Sequence, residues 1–132
     1  MRNASSGGRR WGRGYIFGPS VATLLYHLIV YVPLSHADAV RKVLAESGAG
    51  IIGNYDSCSF SARGTGRFRP LEGAHPAIGS TGVIEEVEEE RIEVVVSAGA
   101  TLPEVLRRVK AVHPYEGPAI HILPMVDDRD LL

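Results

Sequence analysis

The segment His113-Pro114-Tyr115-Glu116-Gly117-Pro118 sets an imidazole, a phenol and a carboxylate between two prolines. Such groups exchange protons, accept hydrogen bonds or ligate metals, and the prolines decide how still they are held. Pro114 cannot extend a helix and pushes His113 toward extended geometry. The corner is therefore a stiff polar bend, either a turn that happens to be polar or a site. For His113 alone, a plain helix C-terminus is the other reading, since the helix dipole favours a histidine there.

The remaining chemistry is sparser. His75 lies in the glycine- and proline-rich stretch 70–82, while His27 and His36 flank a strand and a helix as ordinary surface or edge residues. His121 and His113 bracket the corner and form the one histidine pair close enough in sequence to share a site. Zinc-finger or zincin spacing is missing. Cys58 is the single cysteine, so no internal disulfide forms, which fits a reducing compartment. Its parity with Phe60 predicts a buried, inert thiol. The glutamates of 84–96 either bind a cation or form the solvated face of a hairpin. The second is favoured, because no glycine-bearing calcium loop and no histidine accompany them. Gly48-Ala49-Gly50 and Gly64-Thr65-Gly66 are not followed by a helix start, which excludes a phosphate-cradling P-loop or a Rossmann fingerprint.

Six elements must position these groups. His27–Val32 is β-branched and aromatic, with Leu28, Val30 and Val32 on one face, and reads as a strand. Pro33 stops it. Ser35 with Asp38 then predicts a capping pair, Ala37, Val40, Val43 and Leu44 a helical stripe, and Gly48 its end. From Cys58 to Arg69, Cys, Phe, Ala and Gly alternate with Ser, Arg and Thr, predicting a long antiparallel strand with a basic outer face. Its glycines suggest bulges or close approach by another chain. The glutamate-bearing strand follows, and Thr101-Leu102-Pro103-Glu104 predicts a capped second helix with Leu102, Val105, Leu106, Val109 and Val112 facing inward. Ala119–Pro124 closes as a short strand. This order is the split β-α-β arrangement: α+β, ferredoxin-like β-α-β-β-α-β, a four-stranded antiparallel sheet with two helices on one face. Pairing the arginine strand with the glutamate strand leaves neither charge run unexplained, each contact contributing about 0.2–1 kcal/mol.

The 132 residues suffice for one core without staples, and a formal charge of −1 argues against a nucleic-acid partner. Four arginines precede the first acid, Asp38, after which ten basic residues face fifteen acidic ones. Residues 1–24 therefore read as a disordered or targeting-like basic and apolar tail, and residues 25–132 as the domain. Gly18-Pro19-Ser20, Thr23 and His27 interrupt the apolar run, so no membrane role is expected; the expected compartment is the cytoplasm, or an organelle if the tail is a transit peptide.

Gly53-Asn54-Tyr55, Cys58-Ser59-Phe60, the run Gly64 to Gly73, Pro76 with Ile78-Gly79, and His113-Pro114-Tyr115-Glu116 with Pro118-Ala119 resemble the YqfO-type insert domain of the NIF-three-like family. The likeness spans about residues 29–125, and the corner also resembles the CutA proteins. Both are PII-like, which implies trimers joined through sheet edges and hairpins, with ligand clefts between subunits. Carried over by position, Asn54, Tyr55, Arg67, Arg69 and Tyr115 would contact a small ligand. His113 and Glu116, with His75, would ligate a divalent metal such as copper or zinc. Gly117 departs from the insert's usual glutamate. The family's paired metal ions sit on flanking domains whose His and Glu ligands have no counterpart here. The resemblance thus implies a non-catalytic PII-like regulatory or binding module. The alternative is an accessory domain of a NIF-three-like hydrolase whose dinuclear site lies on another chain, and a third reading is a ligand-free trimerisation module.

Overall fold

Strand β1, Leu25–Pro33, runs straight into helix α1, Leu34–Glu46, because Pro33 serves both. The structure, a computed structural model, describes residues 25–97 and 101–132; the basic tail 1–24 lies outside them. Pro33, at φ −57° and ψ 149°, is itself the N-cap, and no side chain caps the helix. The expected Ser35–Asp38 capping pair is thus replaced. Ser35 Oγ meets His36 Nδ1, and Asp38 accepts from Arg41 at 2.6 Å. A proline that fixes the entry angle leaves no free position for a serine cap.

The other end of α1 follows the glycine rule. Gly48, at φ +92°, donates to Ala45 O, while Ala49 N–H reaches Leu44 O, the Schellman pattern. Strands β2 (Phe60–Phe68) and β3 (Glu85–Ser97), helix α2 (Thr101–Val112) and strand β4 (Ile120–Met125) complete the unit Leu25–Met125. In α2, Thr101 is the first helical residue rather than its cap. Glu104 accepts from Arg107 at 3.0 Å instead of closing a capping box, and the preceding position lies outside the described residues.

The four strands form an antiparallel sheet in the order β2-β3-β1-β4, the ferredoxin-like topology. Leu28, Val30 and Val32 stand opposite Val94, Ile92 and Glu90 on one face, and both helices cover that face. Val40 and Leu44 of α1 and Val105 and Val109 of α2 are buried against it. Each such side chain contributes about 1.5–3 kcal/mol of burial. β4 is an edge strand, which tolerates Pro124 opposite Tyr26.

Arginine and glutamate strands do pair, with Arg63 opposite Glu90 and Arg67 opposite Glu86, but the faces differ from expectation. Ser61, Arg63 and Arg67 share the parity of Ile92 and Glu90, on the helix side. Phe60, Ala62, Gly64, Gly66 and Phe68 face the helix-free side. The edge position of β2 allows this inversion, since none of its residues joins the helix-covered core. The glutamates divide as well. Glu86 and Glu88 are exposed, whereas Glu89 and Glu90 are buried on opposite faces. Glu90 accepts from Arg41, which also donates to Ser61 at 3.0 Å.

Cys58 is half-exposed rather than buried. It precedes β2, and Ser57 at φ +59° breaks the alternation before the strand begins. Val126–Leu132 holds a short 3-10 turn, Asp128–Leu131, with Asp127 accepting from Arg129 N–H at 3.0 Å. Among the described residues no helix is long and apolar enough to cross a membrane.

Candidate functional site

The proline that ends α2 turns His113 inward. Its N–H still completes the helix by bonding Val109 O at 3.0 Å, and Pro114 prevents another turn. His113 is only 7% exposed. Nε2 donates to Tyr31 O at 2.7 Å and Nδ1 accepts from Tyr115 N–H at 3.2 Å, so the network assigns the neutral, Nε2-protonated tautomer. Burial holds its pKa below the ordinary histidine value, although the Tyr31 carbonyl pulls the other way. Both ring nitrogens are committed. His113 locks the end of α2 to β1 and aims the residues that follow it.

Tyr115 is the first of these. Its ring lies 5.2 Å from the His113 ring and meets Phe68 edge-on at 5.6 Å. Its hydroxyl donates to Glu89 Oε2 at 3.2 Å. Desolvation, reinforced by the charge of Glu89, pushes the phenol up to about 12, so it remains a protonated donor. Strand alternation brings Glu89 here, because consecutive glutamates must point to opposite faces. Gly66, on the neighbouring strand, makes room. A Cβ there would overlap Glu89 Oε1.

Glu116 lies at the rim and accepts from the backbone N–H of His75 at 2.9 Å. That bond ties the corner to loop 70–82, whose ends are pinched by Gly82 N–H on Pro70 O at 2.8 Å. Corner, loop and sheet enclose a cleft of about 440 Å³, lined by Tyr31, Phe68, Pro70, Pro76, Ile78, Tyr115 and the Glu89 carboxylate, among others. His121 packs edge-on against Tyr31 nearby, at 5.5 Å.

Of the residues singled out in the sequence, Arg67, Tyr115 and Glu116 line this cleft. Arg67 is held by Glu86 at 2.8 Å. Arg69 is exposed and outside the lining; Asn54 and Tyr55 belong to a separate turn bridged by Ile52 and Tyr55, with Tyr55 74% exposed. His75 contributes its backbone to the contact with Glu116, and His113 stands behind the cleft wall. Among the described residues no three His, Cys, Asp or Glu side chains converge as a metal site. Within one chain, the set His75, His113 and Glu116 therefore does not supply the imidazole donors a borderline metal needs. Glu89, Gly66, Tyr31 and Phe68 were not singled out for this site. The sequence signals were a glycine inside a strand, marking close approach, and the parity of Glu89 against Glu90.

No family model matches the chain. Among curated proteins it is 43% identical over 117 residues to a GTP cyclohydrolase 1 type 2 homolog of Halalkalibacterium halodurans, covering 89% of this chain and 31% of that protein. A protein of the same name from Mycobacterium tuberculosis is 50% identical over 98 residues, covering 74% and 26%. The chain thus spans less than a third of the length of these relatives. A solved Bacillus cereus protein related to NIF3 superposes with TM-score 0.71 at 40% identity, over 83% of this chain and 28% of that one. The divalent cation tolerance protein CutA1 of Thermus thermophilus shares the fold, with TM-score 0.56 at 23% identity over 81% and 91%.

Proposed function

Since the chain belongs to the NIF3 family, matching one PII/CutA-like domain of those longer proteins, we propose that it is a non-catalytic module binding a small ligand in the corner cleft. The observation that carries this reading is the cleft itself. A concave, largely apolar space of about 440 Å³ contains a half-buried phenol bonded to a buried carboxylate and is backed by a neutral histidine. Ligand sites are typically apolar hollows with few, well-placed polar groups. Its polar groups are tied to backbone or to one another, and none forms a nucleophile–base pair among the described residues. The module assembles as a homo-oligomer, a trimer by the PII-like expectation, through sheet edges and hairpins; on the edge strands β2 and β4, Phe60 is 64% and Leu123 52% exposed.

A fragment screen read by amide chemical shifts tests the cleft. Saturable shifts at Gly66, Phe68 and Tyr115 that vanish in Ile78→Trp, which fills the space, support it. Shifts indifferent to that substitution refute it. Light scattering at micromolar concentration tests the assembly, and a monomer would count against it.

A second reading is supported by the greater length of the relatives and by their naming as GTP cyclohydrolase 1 type 2 homologs. In it, the module is an accessory domain of a metal-dependent hydrolase whose dinuclear site lies on another chain. Mixing this chain with a NIF3-family protein lacking the matching segment should then give a stable complex with altered GTP turnover. Failure to associate removes this reading and leaves the first intact.

A further inference from the structure

We propose that the corner cleft selects a small organic cation, a flat amidinium- or guanidinium-type group on an apolar body, with Glu89 as its counter-charge. The assignment rests on the cleft being a ligand site. Glu89 is only 9% exposed, yet its sole hydrogen-bond donor among the described residues is one phenol at 3.2 Å, bound to Oε2. Oε1 has no donor among them. A buried carboxylate is costly unless paired and hydrogen-bonded, so a missing partner at this position points to something that arrives from outside. Gly66 makes room for this carboxylate at the cleft wall, since a Cβ there would overlap Oε1.

The charges around the cleft agree. Its lining includes two carboxylates, Glu89 and Glu116, and one cation, Arg67, already held by Glu86 at 2.8 Å. A phosphate or carboxylate ligand would be repelled. The rings of Tyr31, Phe68 and Tyr115 offer aromatic surface to a cation, an attraction that strengthens when water is excluded. Each carboxylate oxygen has two acceptor positions, so Oε2 can keep the Tyr115 hydroxyl while both oxygens accept a forked pair of N–H donors. Pro70, Pro76 and Ile78 provide an apolar wall for the ligand body.

Three isosteric probes separate charge from shape on the full, isotope-labelled chain: benzamidine (cation), benzamide (neutral) and benzoate (anion). The expected result is saturable shifts at Gly66, Phe68 and Tyr115 with benzamidine and at least about tenfold weaker binding of the other two. Glu89→Gln keeps the shape and removes the charge, and it should weaken benzamidine binding by about tenfold or more. Gly66→Ala, which displaces the carboxylate without removing it, should do the same in a folded protein. Equal binding of benzamidine and benzamide, or an unaffected Glu89→Gln, overturns the cation assignment while the cleft stands as a site. No shift at the cleft with any probe overturns the cleft reading and this inference together.

Discussion

The two faces of the sheet follow different rules. On the helix-covered face, Leu28, Val30, Ile92, Val94 and Val96 interlock with α1 and α2, and the one buried acid near them, Glu90, is answered by Arg41. On the helix-free face, Glu89 is buried with a single phenol for company among the described residues, and Phe60 is left exposed. One face satisfies itself, and the other stays unfinished. Stability is concentrated where the buried acid, Glu90, has its cation, and binding is expected where Glu89 has a single donor among the described residues.

Substitutions can break or sharpen this contrast. The largest effect belongs to the covered face: Leu28→Ala should cost about 2–5 kcal/mol in denaturant unfolding, because it opens a cavity in a packed core. A loss below 1 kcal/mol would mean the core lies elsewhere. Next comes the hinge between the faces. His113→Leu keeps the bulk but orphans the Tyr31 carbonyl and the Tyr115 N–H, so it should cost about 1–3 kcal/mol.

The same variant exposes a pH dependence. The folded pKa of His113 is lowered, so as pH falls the unfolded chain takes up this proton first, near the ordinary value of about 6.5. The stability contributed by the neutral imidazole is complete above that pH and is lost as pH drops toward the folded value. Wild type should therefore lose more stability than His113→Leu between pH 7.5 and 5, and parallel pH profiles would deny the buried neutral state. The smallest effect is on the hairpin surface. Arg67→Ala removes an ion pair exposed on both sides and should change stability by about 0–1 kcal/mol.

How far the sequence reaches follows the same divide. Leu28, Val30 and Val32 announce the core face by spacing alone, and Gly48 announces the end of α1, because local patterns dictate both. The arginine–glutamate pairing was also legible, since the two charge runs complement each other. What stayed hidden is long-range. The partner of His113 is a carbonyl 82 residues away, a contact that gives the histidine no mark in its neighbours. Glu89 looks like any other member of its run until the register places Gly66 and Tyr115 beside it. The apolar parity of β2 was visible but not the side it addresses, because an edge strand outside the helical layer has no core to choose for it. The two capping boxes misled because Pro33 took the N-cap position of α1 and the Glu104 carboxylate was drawn to Arg107 instead.

Thermal melting with and without benzamidine, on wild type, Leu28→Ala and Glu89→Gln, tests the division of labour most directly. Leu28→Ala should melt lower yet keep the ligand-induced rise, while Glu89→Gln should melt no lower than wild type and lose the rise. A Glu89→Gln protein that melts well below wild type, or retains the full rise, would contradict it.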